Sequence, residues 1–418
     1  MSRWAPTATG RARLMTADKA VVAAGKKVLL LGELDWPAEI ERRFLAAPAP
    51  PKHQVVRPDV GDDRARIDAA AAGLRDDDPG EAFLVRTCDS LRATVDLLDS
   101  LGTPAFTARS LDVYGRPSDP LHLGAPTILE AAQHVVDATA RLQSTPPDAT
   151  LDAEAARDRL QGWLDPWFTE PRLVVELDPE LASIASAGSK RVRLRADARF
   201  SELQLRQLLH HEALVHAATK RNGANQPVLK ALGLSTPRTA AVQEGLATLA
   251  ELITDTMDLS RLRRIALRVI AIQAALDGAD FMDLVRLFQE GGQSLPDAFA
   301  SSQRVLRGGD AHRHNGVSCG IFAKDLAYVR GLWTVHGFML AAANEGRKDL
   351  PLRLFAGRLT PGDAVALEPL FHAGWITPPT VAPRWVREQD CLAAFLVFGA
   401  LNTRVDLGRL APGLQGWA

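Results

Sequence analysis

Residues His211, Glu212 and His216 spell His-Glu-x-x-x-His, two imidazoles and a carboxylate within six positions. Imidazoles are common zinc ligands, and a glutamate beside the first can serve as general base in metal-assisted hydrolysis. In the commoner His-Glu-x-x-His pattern the histidines are four apart and share one helical face. Here they are five apart, which leaves them roughly 140° apart around an ordinary α-helix. A π-type widening between Ala213 and Val215 would restore a shared face. The alternative is a helix that ends near His216 and frees its side chain.

The neighbouring residues call for a helix. Ser201 is a good N-cap, Glu202 follows it, and apolar residues between Leu203 and Leu209 recur at helical spacing. After a turn-rich stretch, Arg221 to Pro227, a second helix is expected from about Thr239, carrying Gln243-Glu244-Gly245-Leu246-Ala247. A carboxylate on a following helix is the usual third ligand where two helical histidines hold zinc, which makes Glu244 the expected third ligand. Glu251 lies seven positions on, facing the same way, and is its rival. Its expected place is behind the site, hydrogen-bonded to a ligand histidine. His210, one step from His211, points about 100° away and is expected at the surface or behind the ligands.

Further segments join this pattern: Thr219-x-x-Asn222-Gly223-x-Asn225-Gln226-Pro227, Phe322-Ala323-Lys324-Asp325-Leu326-Ala327-Tyr328 and Leu111-Asp112-Val113-Tyr114-Gly115. Together with HExxxH and QEGLA, the set resembles the DUF1704 family. Its bacterial members carry the QEGLA motif and are known as flavohaemoglobin expression-modulating proteins; its animal relatives are the microtubule-associated tyrosine carboxypeptidases. The likeness spans nearly the whole chain. It implies a zincin-like metallopeptidase core, Zn2+ held by His211, His216 and Glu244, and Glu212 as catalytic base. It also implies a substrate with a free carboxylate. Lys324 and Tyr328, four apart, are then candidates for substrate binding, the lysine for the carboxylate and the tyrosine hydroxyl for an oxyanion. Without the family, a solvated lysine and a core-edge tyrosine explain the pair equally well.

The totals agree with an ordinary soluble protein of 418 residues, 46% hydrophobic and 24% charged. A net charge of −1 gives no general attraction to nucleic acid or membrane. Cys88, Cys319 and Cys391 have no CxxC spacing, which argues against a disulfide framework or a cysteine metal site. The basic start is followed by Asp18 and Lys19 rather than an apolar run, and no stretch is long enough for a membrane span. A cytoplasmic location is the expectation.

Along the chain, residues 1–15 read as a disordered tail, 16–148 as an N-terminal helical subdomain and 149–418 as the catalytic part. A helix is expected from about Asp18 to Gly32, although Val28 to Leu31 fits a buried strand equally well. Others are expected at 63–75, 80–101, 127–143, 262–275, 280–289, 324–344, 361–373 and 388–401. Loops are expected at Ala47–Pro51, Ser144–Asp148 and Arg307–Gly316, the last bringing His312, Arg313 and His314 to the pocket rim or simply into solvent. The last dozen residues read as irregular. Arg172 to Leu177 and Arg191 to Ala196 read as strands of a small sheet just before the active-site helix. Its edge could hold an extended peptide, or the sheet could be a purely structural ribbon. Trp163, Trp167, Trp375 and Trp385 read as core anchors, and His336 as a packed core histidine. The overall expectation is a predominantly helical α+β protein.

Three functions fit these residues. The first is a zinc metallopeptidase that trims a C-terminal residue from a peptide or protein. The second is a regulatory or binding protein that retains a zinc site without using it. The third is a zinc hydrolase of other amides.

Overall fold

The computed structural model describes residues 4–28, 30, 34, 36–53, 55–142, 148–181, 184–309 and 320–402. Among the described residues helix dominates, joined by one three-stranded sheet, which is the expected α+β class with a helical majority. Among the described residues no helix is long and apolar enough to cross a membrane. Residues 29 and 31 of the ambiguous apolar run lie outside the described residues. So do 143–147 of the proline loop, 310–319 with His312, Arg313, His314 and Cys319, and the last dozen residues.

The described helices that open the chain are Ala8–Gly25, Ala38–Ala46, Gly61–Ala71, Pro79–Asp99, Ala105–Tyr114 and Ile128–Thr139. The first begins earlier than the sequence suggests. Thr7 caps it by accepting from the Gly10 N–H, and Leu14 is buried, so residues 8–15 are helical rather than tail. Asp78 and Thr127 cap two others through their side chains. Buried residues from Leu14 to Ala132 share one apolar cluster with residues from Val215 to Leu396. A smaller cluster joins helix Ala153–Leu164, the sheet, and Leu205, Ala213, Leu214, Ala217 and Ala218. The His-Glu segment is therefore gripped from two sides, Leu214 belonging to the smaller cluster and Val215 to the larger.

The sheet has the order β1–β3–β2, with β1 Val174–Asp178, β2 Ala185–Ala187 and β3 Arg191–Arg195. β1 runs parallel to β3, and β2 antiparallel. In β3 Val192 and Leu194 are fully buried while the arginines face outward, the alternation a half-buried strand requires. β2, Ala-Ser-Ala, has no β-branched residue to announce it.

Helices Pro237–Ile253 and Leu326–Asn344 cross at unusually close range. A Cβ on Gly245 would lie 2.2 Å from the Gly331 carbonyl oxygen, and one on Gly331 would lie 1.8 Å from that of Ala241. The glycine of QEGLA is there because backbone meets backbone. The expected helix 361–373 is two short ones, Pro361–Ala366 and Glu368–His372, interrupted where Pro369 has no N–H to give. The turn expected at Arg221 is still helical to Ala224. Trp375 is buried, and Trp163, Trp167 and Trp385 pack against the two clusters. His336, in the middle of its helix, is only half-buried rather than in the core.

Candidate metal centre

The segment that carries the His-Glu motif starts from Ser201, whose hydroxyl accepts from the Gln204 N–H while the Gln204 side chain accepts from the Ser201 N–H. One α-helical stretch, Glu202–Leu208, leads into a π-helix over Leu209–Ala217, and α-helix resumes at Ala218–Ala224. The expected widening is present and runs through the whole motif. It brings the His211 and His216 rings to 4.8 Å between centroids, at 86° to one another. Ligand atoms of His211, Glu212 and His216 all lie within 4.8 Å of one another.

Glu244 arrives from helix Pro237–Ile253. Its Oε2 is 3.6 Å from His211 Nε2 and 3.7 Å from His216 Nε2. That oxygen is fully buried and has no hydrogen-bond partner. Ligand atoms about 2.0–2.2 Å from a tetrahedral zinc lie about 3.3–3.6 Å apart, so the Glu244 oxygen stands at close to ligand spacing from each imidazole nitrogen. A buried carboxylate oxygen without a partner is costly unless something positive meets it. The donor set, two imidazoles and a carboxylate, suits zinc.

Behind these atoms the side chains are held in turn. His211 Nδ1 is 2.6 Å from Glu251 Oε1, and Arg261 donates to both Glu251 oxygens at 3.1 and 3.0 Å. The rival acid therefore sits behind the site, where the sequence places it. Burial opposes the charge on Glu251, but Arg261 and His211 outweigh it and hold its pKa at about 2. Burial likewise opposes a charged His211, yet Glu244 and Glu251 raise its pKa to about 10 in the metal-free protein. Burial opposes the Glu244 charge too, and Lys324 with the two histidines pulls its pKa well below the usual carboxylate range.

Lys324 does not reach into open space. Its ammonium donates to Glu244 Oε1 at 2.7 Å, and it belongs to a 3-10 turn, Ala323–Asp325, rather than to the helix that carries Tyr328. The helical-face reasoning for the pair fails there, although Lys324 Nζ still lies 5.8 Å from the Tyr328 ring centre. Tyr328 stacks on His211, with ring centres 6.4 Å apart and 24° between planes. Asp325 pairs with Arg304 at 2.8 and 2.5 Å, and Tyr114 meets Phe322 edge-on at 5.4 Å, so the two outlying motif segments touch. His210 is half-buried outside the cluster; burial, with Arg206, pushes its imidazole down to about 4.

Sequence reasoning missed the part played by the Thr219-to-Pro227 motif. Asn222 Nδ2 donates to the carbonyls of Phe355 and Val381 at 2.8 and 2.6 Å, while its oxygen accepts from Thr380 Oγ1 and the Val381 N–H. Gln226 Nε2 donates to Ala356 O at 2.9 Å and Thr377 O at 3.2 Å. These amides clamp a distant C-terminal segment onto the end of the active helix. Only the contact itself could have revealed it.

Fold and cluster define a helical α+β protein with a buried His/Glu/His set at metal-ligand spacing. The chain belongs to the microtubule-associated tyrosine carboxypeptidase family, which matches residues 42–404. No curated protein matches it significantly. A solved structure of a candidate lipoprotein from Colwellia psychrerythraea aligns at 15% identity over 87% of this chain and 75% of that one, with a TM-score of 0.43.

Proposed function

We propose that this protein is a zinc-dependent carboxypeptidase with a zincin-like core, removing a C-terminal residue from a peptide or protein. The observation that supports it most is the buried, unpartnered Oε2 of Glu244, 3.6 and 3.7 Å from the two imidazole nitrogens. His211, His216 and Glu244 would hold the metal. When bound, zinc would supply an activated water with a pKa near 7 and a positive centre for the scissile carbonyl.

The chain's own residues do the rest. Glu212, beside the first histidine, takes a proton from water and returns it to the leaving amine. Glu251 and Arg261 fix the His211 ring with Nδ1 turned away and Nε2 toward Glu244. Lys324 positions Glu244 rather than binding substrate. Tyr328, against the His211 ring, offers its hydroxyl to the oxyanion.

The test compares wild type and Glu212→Gln after zinc loading, on peptides with free C-termini, with released amino acid measured. Both proteins are expected to bind about one zinc, and the variant to lose roughly 10²–10⁴-fold in rate. Zinc retained by both with no cleavage by either would instead favour a binding protein with an unused site.

A further inference from the structure

The cations around the candidate centre divide into two groups. Lys324 pairs with Glu244, Arg261 with Glu251 and Arg304 with Asp325. Arg358 and Lys220 pair with no acid among the described residues, yet both are half-buried. Arg358 Nε is fully shielded and has no hydrogen-bond partner. Its Nη2 reaches only the His216 carbonyl, at a long 3.4 Å. The carbonyl it reaches is that of a candidate ligand, which sets the guanidinium against the helix that carries the His-Glu motif. Lys220 lies four residues past His216; burial lowers it, and then Arg358 does. Arg264 also lacks an acid partner among the described residues. Its acidic neighbours are Asp297, Asp258 and Glu251, the last bonded to the His211 nitrogen that is turned away from Glu244.

Arg358 is held in place by backbone contacts. Its N–H donates to Leu232 O at 2.7 Å. A Cβ on the preceding Gly357 would come 2.6 Å from Leu232 Cβ and 3.3 Å from Gly223 Cα. Asn222 and Gln226 grip the carbonyls of Phe355 and Ala356 just before it. The segment is thus fixed at four successive residues to the end of the motif helix and to the turn Lys230–Gly233 that follows it. Holding two like charges out of water without an acid is costly, and the cost is recovered when an anion arrives.

We infer that Arg358, with Lys220 beside it, is the anchor for the free carboxylate at the end of the bound peptide. This rests on the carboxypeptidase reading above and gives it a residue basis. A planar guanidinium can take a carboxylate through two parallel hydrogen bonds. A carboxylate fixed there limits how far the chain can advance past Glu212, so the bond presented is a terminal one.

The test uses the zinc-loaded full chain and three peptides: one with a free C-terminal carboxylate, its C-terminal amide, and an amide whose last residue is glutamate. Wild type is expected to prefer the free acid over the plain amide by about 10- to 100-fold in kcat/KM. Arg358→Ala should remove that preference, chiefly through KM for the acid, and Arg358→Lys and Lys220→Gln should reduce it. Retention of the full preference by a folded Arg358→Ala, or by both milder variants if that one fails to fold, would overturn the inference. Equal preference for the glutamyl amide would overturn it too, since a side-chain carboxylate would then be the ligand. A binding arm is independent of turnover: N-acetylphenylalanine and its amide titrated into the metal-free protein. Wild type should bind the acid more tightly, and Arg358→Ala should not distinguish the two. If wild type cleaves nothing but still discriminates in this arm, the peptidase reading fails and the anchor stands. No discrimination by wild type in this arm overturns the anchor.

Discussion

Glu251 Oε1 lies 2.6 Å from His211 Nδ1, across 40 residues of sequence. The contact leaves His211 with a single free nitrogen, Nε2, on the side of Glu244 and His216. Glu251→Gln keeps the size of the side chain and removes its charge. It should weaken zinc binding about 10- to 100-fold, measured by competition with a chromophoric chelator. Unchanged affinity would show that His211 needs no such support.

Gly245 and Gly331 let two helices meet at backbone contact, setting Tyr328 near His211 while Glu244 faces the same ring. Gly245→Ala should cost about 1–3 kcal/mol in urea unfolding. Because both glycines relieve one contact, the double variant with Gly331→Ala should cost less than the sum of the two. Strict additivity would contradict a shared contact.

Asn222→Ala strips buried partners from Phe355 O and Val381 O. About 3 kcal/mol of stability should be lost, since orphaned buried carbonyls cost about 1–3 kcal/mol each. The same change frees the segment leading to Arg358, so KM for a free-acid peptide should rise as well. A loss of stability with KM unmoved would separate the clamp from the site.

Asp18 is buried and accepts from the Ala231 N–H at 2.7 Å. Burial raises its pKa from 3.8 to about 6, against the hydrogen bonds from Ala231 and Lys230. The folded state therefore holds this proton more tightly than the unfolded state. Its contribution to stability is complete below about pH 4 and is lost as pH rises through about 6. Asp18→Asn should gain on wild type by up to about 3 kcal/mol between pH 4 and pH 7. Unfolding measured across that range would contradict this if the difference stayed flat.

Much of the site was legible because its parts are local. The five-residue spacing of His211 and His216 forced a choice between a widened helix and a broken one, and a π-helix over Leu209–Ala217 is what forms. The places of Glu244 and Glu251 followed from their seven-residue spacing on one helix, once one of them faced the histidines. The contact of Lys324 with Glu244 was not legible, because a 3-10 turn sets Lys324 outside the helix and its partner is 80 residues away. Helix Ala105–Tyr114 and strand β2 carry no strong pattern and are ordered by what packs on them. Arg358 gave no signal at all, since an unpaired charge is visible only when its surroundings are.

The central claim is that His211, His216 and Glu244 share one metal ion. Anomalous diffraction at the zinc edge from a zinc-soaked crystal tests it most directly. A single strong peak about 2.0–2.2 Å from both imidazole Nε2 atoms and a Glu244 oxygen is the expected result. A peak held by other residues, or none at saturating zinc with these three side chains apart, would contradict it.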